Sequence, residues 1–401
     1  MHILPASDVT KFPGFPRPEI VQPRRETRRA PPVAEADVPE DLRSVPGSPR
    51  DRAQEVFFAR HYREPNFKTG KLNLTYHKVV EAKPGHVNET YRTLVEKYGD
   101  LIPRVNAAAF SYHEREAAPE RDQATDLGAE IRAKAAELGV DLVGFTRFDR
   151  TYVTRETKDA ALFKNAIVLC RAFDWDTTHR APSVEWDVHS YDTSLALALG
   201  ALHLADFIRS KGYRVQFIAG TGLSGEKMIA PILPYAIASG LGQMGANGTM
   251  LTAEFGSRLR VMGLSTDAPF VHGKPRDFGV NVLCEKCQVC VNRCPGRALS
   301  RVKVQWHGVT KYKIVADRCL PVLRFAECNI CTKVCPVQHF GLKPVLEHYA
   351  ATGEVLGKGT AALETYSLFD KGEFGPGELP RLARDEGGQG LMRMAEDLGV
   401  A

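Results

Sequence analysis

The chain has 401 residues, 43% of them hydrophobic, which is enough for a sizeable core and for two or three domains. Its 53 basic and 48 acidic residues leave a formal charge of +5, too small an excess to make nucleic acid the main partner. No run of about 18 apolar residues occurs, so no membrane span is expected.

Ten of the 25 prolines fall in residues 1–50, with Arg and Glu interspersed, so this segment does not make regular helix or sheet by itself. It is expected either to be disordered or to wrap over a folded domain. Arg24-Arg25 and Arg28-Arg29 look like the start of a twin-arginine export signal, but Ala30–Asp37 follows, which is short, acidic and proline-rich where an apolar stretch is needed. A basic linker and a cytoplasmic location are the expectation. Residues 51–120 are mixed, with Val87–Tyr98 the best helix.

From about residue 125 the pattern sharpens. Leu127, Ile131, Ala135 and Leu138 recur at helical spacing, and Gly139 stands at the helix end. Leu142–Phe145 and Ala166–Cys170 read as buried strands. Residues 192–210 are apolar almost all round, the mark of a helix buried on most faces, and Gly212 stops it. Arg214–Ala219 reads as a strand, Pro231–Ser239 as a helix and Arg258–Thr266 as a strand. Alternating strands and helices predict a layered α/β domain. Trp175 and Trp186 lie before the long helix and suit either a pocket wall or core packing.

Nine cysteines are present, eight of them between Cys284 and Cys335. The first motif is Cys284-x2-Cys287-x2-Cys290-x3-Cys294-Pro295, the bacterial ferredoxin run. Its first three cysteines hold one cluster, and its fourth ligates the other in two-cluster proteins. The second is Cys319-x8-Cys328-x2-Cys331-x3-Cys335-Pro336, looser at the front. Crossing the fourth cysteines assigns Cys284, Cys287, Cys290 and Cys335 to one 4Fe–4S cluster. Cys294, Cys319, Cys328 and Cys331 take the other. A single x2 pair would suit zinc equally; two C-x2-C-x3-C-P runs favour iron–sulfur. Cys170 ends an apolar strand and reads as a core thiol.

Gly240-Leu241-Gly242-Gln243-Met244-Gly245 matches G-x-G-x-x-G. A dinucleotide site needs a strand before it, a helix after it and an acidic residue about 20 positions on; none is apparent. The glycines then serve a tight turn, or a close backbone approach to a large flat cofactor.

The ordered set Phe207–Tyr213, Ala238–Gly248, Leu251–Arg260, Thr266–Pro269 and both cysteine motifs resembles the cobalamin-dependent reductive dehalogenases and their relatives, the epoxyqueuosine reductases. The likeness runs over roughly residues 125–345. Arg258-x-Arg260, Gly308-Val309 and Ala181-Pro182-Ser183 favour the dehalogenase branch. Nothing after residue 345 looks like the helical repeats common in epoxyqueuosine reductases. The resemblance implies fold class α/β (α+β): a nitroreductase-like corrinoid-binding core followed by a bacterial-ferredoxin-type domain with two 4Fe–4S clusters. The implied domains are an N-terminal extension and wrapping segment (1–120), the corrinoid domain (121–275), the dicluster domain (276–345) and a C-terminal tail (346–401).

The resemblance also implies base-off cobalamin without a protein histidine on cobalt, which the absence of D-x-H-x-x-G fits; Asp187-Val188-His189 comes close by chance. Gly240, Gly242, Gly245, Asn247, Gly248, Thr252, Arg258 and Thr266 are the implied cofactor contacts. Electrons would pass singly through the clusters to cobalt, where a carbon–halogen bond is replaced by carbon–hydrogen with halide release. Tyr191 is the expected proton donor, with Arg260 or Lys227 as the cation that lowers its pKa. A gapless register on Phe207 instead places Ser194 where the family has its tyrosine, with Tyr191 one turn earlier. Tyr191 as a surface residue and Arg260 as a structural or corrinoid-side-chain contact are the plain alternatives. The expected partners are a small organohalide and an external low-potential donor (a ferredoxin, a flavodoxin or a reductase), with no nucleic acid and with a homodimer possible. The competing functions are epoxyqueuosine reduction on transfer RNA and a non-catalytic corrinoid or electron carrier.

Overall fold

The structure is a computed structural model and describes residues 17–18, 27–43, 93, 96–98, 101–111, 126–153, 159–219, 229–306, 309–315, 318–319, 322, 328–368 and 371–380. Lys227 and most of the proposed helix 87–98 lie outside the described residues, though 93 and 96–98 are helical.

The first domain contains α1 (Leu101–Ser111), α2 (Gly128–Glu137), β1 (Leu142–Arg147), β2 (Asn165–Ala172), α3 (Trp175–His179) and α4 (Val184–Ser210). It continues through β3 (Val215–Ala219), α5 (Leu233–Ala238), β4 (Gln243–Met244), β5 (Met250–Leu251) and β6 (Leu259–Thr266). The main sheet has the order β1-β2-β6-β3, and every neighbouring pair is antiparallel. The domain is therefore α+β. The alternation of helices and strands suggested α/β layering, but β6 inserts between β2 and β3, so α4 does not join parallel neighbours.

Period-two alternation sorts the strands' side chains onto two faces. Val143, Phe145, Ile167, Leu169, Phe217, Met262 and Leu264 face the layer of α1, α2 and α4. Val168, Cys170 and Ile218 face Tyr235, Ala236 and Phe255 on the other side. Burial pushes the Cys170 thiol up, with Asp141 and Glu254 adding to it, as befits an inert core thiol.

Helix α4 begins at Val184, eight residues earlier than the apolar run suggested. Ser183 caps it, its Oγ accepting the Trp186 N–H at 3.1 Å, and Glu185 and Asp187 favour the positive N-terminal end. Trp186 is thereby drawn into the helix, where it packs edge-on against Phe173, with ring centroids 4.9 Å apart.

The second domain is made of α6 (Val280–Cys287), α7 (Val289–Asn292), the hairpin β7 (Val304–Trp306) and β8 (Val309–Lys311), α8 (Ile330–Lys333), α9 (Pro336–Phe340), α10 (Leu342–Thr352) and α11 (Ala361–Glu364). Its core also takes Val33, Val38 and Leu42 from the N-terminal segment and Leu346, Tyr349, Leu363, Tyr366 and Leu368 from beyond residue 345. Residues 346–380 thus pack into this domain and do not form part of the C-terminal tail expected over 346–401. One face of α10 is apolar, and the buried Arg293 guanidinium ties the end down. Its Nε donates to the Glu364 carbonyl at 3.1 Å, its Nη2 to the Phe374 carbonyl at 2.9 Å and its Nη1 to the Glu378 carbonyl.

Residues 27–43 form a strap over both domains. The Ala30 N–H donates to Glu254 O at 2.8 Å, Arg258 Nη2 donates to Arg28 O, and Arg276 Nη2 donates to Val33 O at 3.2 Å. The Arg28 guanidinium lies 3.9 Å over the Trp175 ring. Among the described residues no helix is long and apolar enough to cross a membrane.

Candidate functional site

The two cysteine runs fold alike. Cys287 is followed by Gln288 in the left-handed region (φ 57°), which ends α6 and opens α7 with Cys290. Cys328 is followed by Asn329 (φ 46°), which opens α8 with Cys331. Such a turn aims successive backbone N–H groups inward, toward a concentration of negative charge. The Ala246 N–H points at Cys284 Sγ (3.4 Å) and the Ala298 N–H at Cys294 Sγ (3.3 Å). The backbone N–H groups of Val289, Ile330 and Gln338 serve Cys287, Cys328 and Cys335. Pro336 opens α9 immediately after Cys335.

The eight thiols gather as two quartets. Cys284, Cys287, Cys290 and Cys335 are buried and line one cavity together with Ala246, Asn247, Gln288 and Val337. Burial pushes the Cys284 thiol up to about 12, and Cys287 adds to it; Cys290 is raised by burial and then by Cys284, Cys335 and Cys287. Cys294, Cys319, Cys328 and Cys331 are only half-buried. Cys331 is raised to about 12 by burial and then by Cys319 and Cys294, the same neighbours that act on Cys328. Cys290 also senses Cys331, so the two groups lie close together. Among the described residues no group of three or more His, Cys, Asp or Glu side chains is arranged to hold a single metal ion. Cysteine sulfur all round, each set fed by peptide N–H groups, fits an iron–sulfur cluster.

The glycine loop lies against the inner quartet. Gly240 and Gly248 have positive φ, and a Cβ at Gly242 or Gly245 would run into Leu251 or the Asn247 side chain. The four glycines are therefore demanded by the turn and by its packing. Asn247 is buried; its Oδ1 accepts from Thr249, while its Nδ2 has no partner. Thr252 Oγ1 accepts the Phe255 N–H at 3.1 Å, closing the loop on itself. Arg258 is fully buried, with its Nη groups on the Phe173 and Arg28 carbonyls, and burial lowers it to about 10. It is a strut for the strap. Thr266 stands six residues past Arg260, about 20 Å away at ~3.3 Å per strand residue, and donates to the Arg214 carbonyl. The structure does not bring it to this junction.

Arg260 is placed beside Ser190, to whose Oγ its Nη2 donates at 3.0 Å; its Nε has no partner. Tyr191 lies on the next stripe of α4, partly buried against the apolar layer. The helix thus presents Ser190 to Arg260, while Tyr191 packs against the apolar layer. Sequence reasoning missed Asp192, a buried carboxylate that accepts from Lys97 Nζ at 3.0 Å and from the Tyr98 hydroxyl. A carboxylate inside an apolar helix was the available signal. His189 Nε2 accepts the Asp174 N–H at 2.8 Å, so this lone pair is already committed within the protein.

Residues 283–344 match the family of 4Fe–4S dicluster domains. The chain is 31% identical to the tetrachloroethene reductive dehalogenase of Dehalobacter restrictus over 166 residues, covering 41% of this chain and 28% of the relative. It is 24% identical to the enzyme of that name from Sulfurospirillum multivorans over 265 residues, covering 54% and 51%. The chain is a homologue of the reductive dehalogenases. An epoxyqueuosine reductase from a Synechococcus is also related, 31% identical over 119 residues covering 27% of this chain and 35% of the relative. A solved catabolic reductive dehalogenase matches with a TM-score of 0.56 at 20% identity, over 75% of this chain and 44% of that one, which establishes the common fold. The homologue spans about a quarter to a half of the curated relatives it matches. The likeness to these proteins carries the expectation of a corrinoid beside the cysteine quartets. The unpartnered polar atoms of Asn247, Ser257, Arg260 and Gln338 fit a cofactor with many amide side chains. Gly256 abuts Gln338, bringing the loop before β6 onto α9 beside Cys335.

Proposed function

We propose that the protein is a corrinoid- and iron–sulfur-dependent reductase that replaces a carbon–halogen bond by carbon–hydrogen. Each turnover consumes two electrons and one proton and releases a halide. The observation that carries this reading is the division of the thiols into an inner, buried quartet against the glycine loop and an outer, half-exposed one. Cys284, Cys287, Cys290 and Cys335 would hold the inner cluster, and Cys294, Cys319, Cys328 and Cys331 the outer, two 4Fe–4S clusters in all. Asn247, Ser257 and Gln338 would hold a corrinoid at the junction, and His189, already accepting from Asp174, would not serve as its ligand. Bound there, the corrinoid supplies a strongly reducing cobalt.

Arg260 contributes positive charge where halide charge develops, held in place by Ser190. Tyr191 is the proposed proton donor; it follows Ser190 on α4 but packs against the apolar layer, so its ring has to swing toward Arg260 to act. The substrate is a small organohalide, the electrons arrive from an external low-potential donor, and the site of action is the cytoplasm.

The test is anaerobic purification with corrinoid supplied, followed by metal analysis and a halide-release assay on a halogenated panel. About eight irons and one cobalt per chain are expected. Absence of cobalt under every supply condition sinks the reductase reading. Cobalt present with epoxyqueuosine reduced and no halide released moves the protein to the transfer-RNA branch.

A further inference from the structure

The segment between the two cysteine runs has a charge that the reaction does not explain. Residues 296–318 contain six basic side chains and one acidic one, Asp317. Among its described residues, the ends of the segment, Gly296–Ala298 and Arg318–Cys319, adjoin the outer quartet, while Lys303, Tyr312 and Ile314 reach back to Glu285, Gln288 and Gly248 beside the inner one. The Arg297 N–H donates to Cys294 O, Gly296 abuts the Arg318 carbonyl, and Cys319 follows at once. Leu299 bridges Ile314, while the Ser300 N–H donates to Lys313 O and the Val315 N–H to Ala298 O, so the two limbs of the segment lie side by side.

Arg297, Arg301 and Arg318 are exposed, and none pairs with a carboxylate among the described residues. Four large apolar side chains are left exposed among the described residues, and two of them, Val302 (67%) and Val315 (36%), stand here between the arginines. Apolar contact inside a ring of one charge sign suits a transient complex with an oppositely charged partner, steered by charge and released quickly. The outer quartet is also the less buried one, so an electron entering here has the shorter path.

We propose that Arg297, Arg301 and Arg318, with Val302 and Val315 between them, are the docking surface for a small acidic one-electron carrier protein, which delivers electrons to the outer cluster. This rests on the cluster reading above but not on the organohalide. Each encounter passes one electron from the reduced carrier to the oxidised cluster.

The experiment uses the full chain with its clusters, mixed anaerobically with flavodoxin hydroquinone, and follows the appearance of flavodoxin semiquinone in a stopped-flow instrument. The comparison is the variant R297E/R301E/R318E, with reduced methyl viologen as a small cationic donor. The expected result is at least a tenfold slower reduction by flavodoxin at low salt, with the wild-type rate falling steeply as salt rises and the variant rate not. The rate with methyl viologen is unchanged or faster. An undiminished flavodoxin rate overturns the proposal. So does an equal loss with methyl viologen, which would place the defect in the clusters, or tighter binding of an RNA stem-loop than of flavodoxin. A protein that accepts flavodoxin electrons but releases no halide keeps the docking surface and loses only the dehalogenase reading.

Discussion

The two domains are held together by different means. Around the sheet, each strand buries alternate side chains on its two faces, one apolar layer running through α4 and the other through α5. The dicluster domain has short helices, a three-residue hairpin and a core assembled from segments as far apart as Val33 and Leu368. Regular structure lets the first domain stand on its own packing. The second places eight thiols around two spaces and depends on what fills them. A metal that binds thiolates turns that dependence into folding energy.

The widest separation between the domains comes from removing a ligand. Cys290→Ala is expected to halve the iron, from about eight to about four atoms per chain. It should abolish turnover while leaving the first domain's circular dichroism in place. Simultaneous unfolding of both domains in a denaturant titration would refute their independence. Tyr191→Phe tests the chemistry without touching the clusters. Halide release is expected to fall by about 10²–10⁴-fold with unchanged iron and cobalt, since that is the usual worth of a positioned general acid.

In the second domain, Arg293→Met leaves the carbonyls of Glu364, Phe374 and Glu378 without their donor. The expected cost is about 3–5 kcal/mol, read as a lowered urea midpoint of the transition that releases iron. Leu199→Ala in the middle of α4 is its counterpart in the first domain, expected to cost about 2–5 kcal/mol in the other transition.

The smallest effect concerns the seam between the domains. His179 Nε2 and His339 Nδ1 are 2.8 Å apart across it, and burial lowers His179 to about 4. Its folded pKa lies below the unfolded value near 6.5, so the unfolded chain binds more protons between about pH 4 and 6.5. Its contribution is complete above 6.5 and is lost as pH falls toward 4. His179→Phe should remove about 1–2 kcal/mol of the stability change across that window, read as a flatter dependence of the thermal midpoint on pH; an unchanged slope would remove His179 from the seam's pH response.

The same contrast governs how much could be read in advance. The sheet strands fell within a residue or two of expectation because each is an apolar run bounded by turn residues. The start of α4 was missed because Ser183 and the polar first turn outweigh the lack of an apolar pattern there. That shift mattered, since it faced Ser190 rather than Tyr191 to Arg260. The spacing of the cysteines is what suggested two crossed sets of four. The fate of residues 346–380 was not legible, because three remote carbonyls meeting one buried arginine leave no local trace in the chain. Nor could the glycine motif reveal that each glycine answers to a protein neighbour.

The strap has a consequence for the order of assembly. Arg28 meets Arg258 across 230 residues of chain, and Val33 meets Arg276 across 243. During synthesis the strap leaves the ribosome long before either seat exists, and loop closure over such a span comes late. Its prolines and mixed charges keep it from pairing elsewhere during that wait. A newly made chain thus passes through a stage in which the sheet is formed and the cluster ligands are gathered, but the cover is still open, and that is when metal can enter.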